Sequence, residues 1–162
     1  RRMMEVNYLG AVNGLHFALP HLKQSRGHMV AIASIQSKIG VPYHTGYVAS
    51  KHALEGFCRA LRYDLEGTGV TVLTVHPHWI RGTNLRTSAC SADGKVVGDR
   101  NLEHTDESIS AEECSAAILK AIHNRDTELI IPTKLRFVPW LKLLWPGLLR
   151  RKIWSKINRQ EN

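Results

Sequence analysis

The chain has 162 residues, 43% apolar and 22% charged, enough for one domain with a sizeable core and unlike a disordered or low-complexity chain. Its net charge of +8 is unevenly placed, because the residues from Lys134 onward hold eight bases and one acid and so carry +7 of it. The basic character therefore belongs to a tail (134–162) behind a near-neutral body (1–133), which argues for a partner of that tail and against a nucleic-acid-binding body.

In chain order, Arg1-Arg2 is not followed by the apolar core of a signal peptide, and no helix-start signal precedes Met3, so the chain reads as beginning inside an element. Leu9, Val12, Leu15 or His16, Leu19 and Leu22 recur at helical spacing and predict a helix over residues 3–23. Ser25-Arg26-Gly27 predicts a turn, and residues 28–34 a short buried strand ending on Ser34. A loop punctuated by Gly40, Pro42 and Gly46 leads into a helix from about Gly46 to Glu66, with Ala49, Ala53, Phe57, Ala60 and Leu61 on one side and Gly67-Thr68-Gly69 at its end. The β-branched run Val70–Val75 predicts a parallel-sheet strand. From His76 to Ser108 the chain is polar and aperiodic, a length that marks a functional loop. Ser110 with Glu113 forms a capping-box signature for a third helix, and residues 128–131 form a last strand stopped by Pro132. Helix and strand alternate, which predicts a doubly wound α/β fold: a parallel sheet with helices on its faces, lacking its first strands.

Tyr47 and Lys51 lie four residues apart on one face of the second helix, 13 and 17 residues after Ser34. An ammonium beside a phenol favours the phenolate and is expected to lower the tyrosine's pKa. A phenol so tuned exchanges a proton with a carbonyl or alcohol, and a serine at a strand end can hold the substrate oxygen. These residue types therefore point to carbonyl/alcohol redox chemistry that needs a separate hydride donor.

With these residues the chain resembles the C-terminal part of the short-chain dehydrogenase/reductase family, over residues 3 to about 131. The family's Tyr-x-x-x-Lys motif stands as Tyr47-Val48-Ala49-Ser50-Lys51, its serine as Ser34, and its helix asparagine as Asn7 in Val6-Asn7-Tyr8-Leu9-Gly10. The opening residues and Ser110-Ala111-Glu112-Glu113-Cys114 are most similar to the hydroxysteroid dehydrogenase-like branch. The resemblance implies a Rossmann-type fold, NADP or NAD as cofactor, and hydride transfer between a ketone and a secondary alcohol. It implies that Tyr47 is the acid/base, Ser34 orients the carbonyl, Lys51 binds the nicotinamide ribose and lowers the tyrosine pKa, and Asn7 holds a proton-relaying water. Pro77, Ile80 and Thr83 would line the nicotinamide end, although His78 replaces the family's usual glycine and Thr83 falls one position late. Homo-oligomerisation through the first two helices is also implied. The loop from Trp79 to Ser108 would shape the substrate pocket.

His76 and His78 have two-residue spacing but no third ligand of matching spacing, so no metal is expected. Cys58, Cys90 and Cys114 lack CxxC spacing, which speaks against a disulfide framework or zinc site and makes a reducing, cytoplasmic compartment the default. A dinucleotide fold needs a glycine-rich turn after a strand; Gly67-Thr68-Gly69 follows a helix, so the cradle for the pyrophosphate is not in this sequence and the chain reads as a fragment that binds cofactor poorly alone. The rival reading is a catalytically inactive truncated form serving as a dimerisation or binding module. The tail holds Trp140, Trp145 and Trp154 among Lys, Arg, Leu and Ile, with breaks at Pro139 and Pro146. That composition fits either peripheral membrane contact, with entry of a lipophilic substrate, or a cover over the substrate pocket or a subunit partner. No run is long enough to span a bilayer.

Overall fold

The computed structural model describes residues 1–83 and 108–161. Three parallel strands lie in the order β1 (His28–Ile32), β2 (Thr71–Pro77), β3 (Glu128–Ile131), with His28 opposite Thr71 and Thr74 opposite Glu128. Parallel pairing requires crossovers, and the helices supply them. Residues 2–25 form helix α1, in which an α-helical start (Arg2–Met4) passes through a π-helical turn (Glu5–Leu9) into a regular helix (Gly10–Ser25). Helix α2 (Thr45–Asp64) follows β1, and helix α3 (Ala111–His123) precedes β3. The Rossmann-like α/β class expected from the alternation is the observed one.

Period-two alternation along the strands divides the core between the two faces. Val72, Ala31 and Ala33 pack with Leu15 of α1 and with Leu54, Cys58, Leu61 and Leu65 of the α2 region. On the opposite face, Leu73 and Val75 pack with Ala121, Ile118 and Ile122 of α3. Burial of Leu54, Cys58, Leu61 and Leu65 rotates α2 away from the expected face, leaving Ala49 and Ala60 exposed. Alanines fit a surface helix face as readily as a buried one. Gly46 opens a close approach of the two helix starts: a Cβ there would stand 3.3 Å from the Met3 sulfur.

The first strand stops at Ile32, two residues short of its expected end. Ser34 keeps extended dihedrals but caps a 3₁₀ turn (Ile35–Ser37), its hydroxyl accepting from the Gln36 amide at 3.2 Å. The second strand runs on to Pro77, placing His76 inside the sheet rather than in a loop. Residues 84–107, including Cys90 and most of the expected pocket-shaping loop, lie outside the described residues. The tail is helical: a 3₁₀ stretch (Thr133–Phe137), helix α4 (Val138–Leu144) and helix α5 (Pro146–Glu161). It seats on the loop between β1 and α2, where Trp154 stacks on Tyr43, Leu149 is buried, and Lys142 donates to the Lys38 carbonyl at 2.8 Å. Among the described residues no helix is long and apolar enough to cross a membrane.

Candidate active site

The C-terminal ends of β1 and β2 and the start of α2 bring together Ser34, Tyr47 and Lys51. Ser34 is buried, and its hydroxyl lies in hydrogen-bonding reach of the Tyr47 phenol. Burial raises the Tyr47 pKa above its ordinary value, with the Ser34 bond pulling it back only in part. The expected lowering by Lys51 is therefore not what the geometry gives. Lys51 Nζ stands 5.8 Å from the centre of the Tyr47 ring and donates to the Ile32 carbonyl at 2.8 Å. Burial also lowers the Lys51 pKa, so the amine is held less firmly as ammonium than an exposed lysine. At neutral pH the phenol is thus protonated, beside a serine whose hydroxyl accepts one bond from the Gln36 amide.

Asn7 sits in the π-helical turn, where the Gly10 amide bonds the Glu5 carbonyl. Such turns insert an extra residue and re-aim the side chains around them. The Asn7 amide donates to the Ser50 hydroxyl at 3.0 Å, and Ser50 in turn donates to the Tyr47 carbonyl at 2.8 Å. Asn7 is therefore tied through one residue to the backbone that carries the phenol. Pro77 is buried as the last residue of β2. Ile80 bridges Ile109, and the Thr83 hydroxyl lies at the exposed surface, donating to the Ile80 carbonyl at 3.3 Å.

Behind Ser34 lies a charged cluster that sequence spacing did not disclose. The fully buried His76 has Nε2 3.3 Å from Glu55 and 3.3 Å from Glu128. Lys38 bonds Glu55 at 2.6 Å and also pairs with Glu128, while Arg59 reaches Glu55 from the surface at 3.0 Å. One ligand atom each from Glu55, His76 and Glu128 lies within 4.8 Å of the others, a group that takes in His76 but not His78. The Lys38 ammonium already bridges the two carboxylates and takes the cation's role. The readable signal was Glu55 itself, an acid one turn beyond Lys51 on the buried side of α2.

The description "short chain dehydrogenase" belongs to the family pattern that matches residues 1–93. The chain is 34% identical over 167 aligned positions to "Dehydrogenase/reductase SDR family member 7B" of Mus musculus, covering 99% of this chain and 50% of that protein. It is 33% identical to "11-beta-hydroxysteroid dehydrogenase A" of Arachis hypogaea, covering 92% of this chain and 44% of that one. It thus spans about half the length of the curated relatives it matches. In fold it resembles a short chain dehydrogenase from Burkholderia cenocepacia solved in complex with NADP, with a TM-score of 0.73 at 23% identity over 93% of this chain and 56% of that one. With more than half of its residues matched by that pattern and the fold to go with it, the chain belongs to the short chain dehydrogenase family of oxidoreductases.

Proposed function

We propose that this chain carries the proton-transfer part of an NADP- or NAD-dependent oxidoreductase that interconverts a ketone and a secondary alcohol on a lipophilic substrate. The observation that carries the reading is the meeting of the Ser34 hydroxyl and the Tyr47 phenol beside Lys51 at the strand ends. In this reading Ser34 holds the substrate oxygen, and Tyr47 gives it a proton in reduction or takes one back in oxidation. Lys51 has three N–H donors and spends one on the Ile32 carbonyl, so two remain to suit the vicinal hydroxyls of a ribose. Asn7 steadies the Tyr47 backbone through Ser50. Pro77, Ile80 and Thr83 line the nicotinamide end. A bound nicotinamide supplies the hydride.

The residues present fit the nicotinamide ribose but not the pyrophosphate. The N-terminus of α3 is closed on itself, because Ser110 and Glu113 satisfy each other's backbone amides. Fluorescence titration of the 162-residue chain with NADPH and NADH is therefore expected to show weak binding, and tight binding would overturn that part. In a full-length enzyme built on this sequence, Tyr47→Phe is expected to abolish turnover while circular dichroism stays unchanged; retained turnover would end the assignment.

Two partners follow in the same reading. Phe137, Trp140, Leu143, Leu144 and Trp145 are exposed on the tail beside Lys134 and Lys142, which fits contact with an anionic membrane surface. Flotation with phosphatidylserine vesicles should fall when the chain ends at Pro132, and equal flotation would remove the membrane reading. Val6, Phe17 and Tyr63 are exposed on α1 and α2, which fits pairing of two copies through those helices. Phe17→Glu should then shift sedimentation toward the monomer, and a parent chain that already sediments as a monomer contradicts the pairing.

A further inference from the structure

The hydrogen-bond roles around His76 can be assigned one at a time. The Ser37 hydroxyl has a single hydrogen and lies 2.6 Å from the Ser34 carbonyl, which can only accept. That hydrogen is therefore spent on Ser34. Ser37 Oγ meets His76 Nδ1 at 2.8 Å with a lone pair, and the Ser34 carbonyl meets the same nitrogen at 3.2 Å. Both neighbours of Nδ1 are acceptors, so Nδ1 carries a proton. On the other side of the ring, Nε2 faces carboxylate oxygens of Glu55 on α2 and Glu128 on β3. Lys38 and Arg59 stand against Glu55 and Glu128, Lys38 between the two carboxylates and Arg59 on Glu55 from the solvent side.

Building on the Ser34–Tyr47 reading above, we propose that His76 is a positioning residue, buried between Glu55 and Glu128, whose Nδ1–H fixes the Ser34 carbonyl and Ser37, and so sets the Ser34 hydroxyl against the Tyr47 phenol. Among the described residues the carbonyl of Ser34 is otherwise held by Ser37, through its hydroxyl and its amide. A change at His76 acts on the hydroxyl through two bonds of the same residue, and His76 itself touches no reacting atom.

The test needs no turnover, so it stands apart from the fate of the dehydrogenase reading. In protein labelled with nitrogen-15 histidine, the His76 signals, assigned by their loss in His76→Gln, should show Nδ1 protonated at pH 7. A ring protonated at Nε2 alone overturns the proposal. Tyr47 titration, followed by phenolate absorbance and assigned with Tyr47→Phe, provides the second arm. Ser34→Ala should move that titration to higher pH, since the serine bond is what lowers it. His76→Gln should move it the same way, and should add nothing in the Ser34→Ala background. A His76→Gln protein that folds yet titrates like the parent refutes the coupling. Should that variant fail to fold, Glu128→Gln at the half-exposed rim takes its place: a smaller upward movement supports the coupling and none refutes it.

Discussion

Glu128 gives the stability of the cluster a measurable pH signature. Its carboxyl is held at about 2 rather than 4.5, first by the bond from His76 and then by the bond and charge of Lys38, with burial opposing. At 1.36 kcal/mol per pH unit such a drop corresponds to roughly 3.4 kcal/mol. The side chain is 45% exposed, so solvent screening cuts this to about 1–2 kcal/mol, well below the ~3–5 kcal/mol lost when a fully buried pair is broken. The folded-state pKa is depressed, so the contribution is fully present above the unfolded value near 4.5 and is lost as pH falls through about 2. Urea unfolding of the parent and Glu128→Gln should therefore differ by about 1–2 kcal/mol at pH 7. The gap should narrow below pH 4.5, be mostly gone by about pH 2, where half of the parent's carboxyls are protonated, and close below it. Glu55 and Lys38 are common to both proteins and largely cancel in the difference. Equal stability at pH 7, or a gap that persists unchanged to pH 2, would refute the ion-pair account.

Leu54→Ala removes a nearly fully buried side chain from the α1/α2 face and should cost about 2–5 kcal/mol in urea unfolding; a loss below ~1 kcal/mol would mean that face is loosely packed. Ser110→Ala deletes one half of the α3 capping box and should cost about 1 kcal/mol, an effect that Ser110→Asp should largely restore. Gly69→Ala places a Cβ at a positive φ of 82° and 2.9 Å from the Arg26 side chain, so a loss of about 1–2 kcal/mol is expected, and neutrality would show that the turn relaxes. Leu149→Arg puts a charge into the seat of the tail; trypsin should then cut after Arg150 and Arg151 sooner while the body stays intact, and unchanged cleavage would mean the seat contributes little.

The alternation of helix and strand, the Ser110/Glu113 cap and the β-branched second strand were legible because each is written in neighbouring residues. The serine, tyrosine and lysine were legible as a set because a strand end and a helix start are fixed by short-range punctuation. The tail helices were not, because Pro139 and Pro146 read as breaks. Both stand at helix starts, where proline loses no hydrogen bond and its fixed φ suits the first turn. The π-helical turn around Asn7 was not read, since helical spacing of apolar residues does not distinguish an i→i+5 turn from a regular one. The Tyr47 pKa went the other way from expectation because burial of the phenol, which spacing does not show, raises it, while the Lys51 ammonium turns to the Ile32 carbonyl. The buried cluster was hidden for a similar reason: Lys38, Glu55, His76 and Glu128 belong to four separate segments that only the sheet register assembles.

The same register explains why chemistry collects at one end of the molecule. The side chains of β2 that face α2 are Val72, Thr74 and His76, so the strand grows more polar along its length. Helix α2 runs the opposite way in space, and its facing residues change in step, from Leu61 and Cys58 through Glu55 to Lys51 and Tyr47. At the apolar end each buried leucine contributes about 1.5–3 kcal/mol, enough to hold the two elements in fixed register. At the polar end, burying charges costs several kcal/mol per ion unless partners are set in place beforehand. The apolar half is therefore what makes the polar half affordable: it fixes the positions from which Lys38, Glu55 and Glu128 neutralise one another around His76. A phenol and a hydroxyl set against that charged base are held from below by paired groups rather than by mobile loop, the kind of support a preorganised polar site needs.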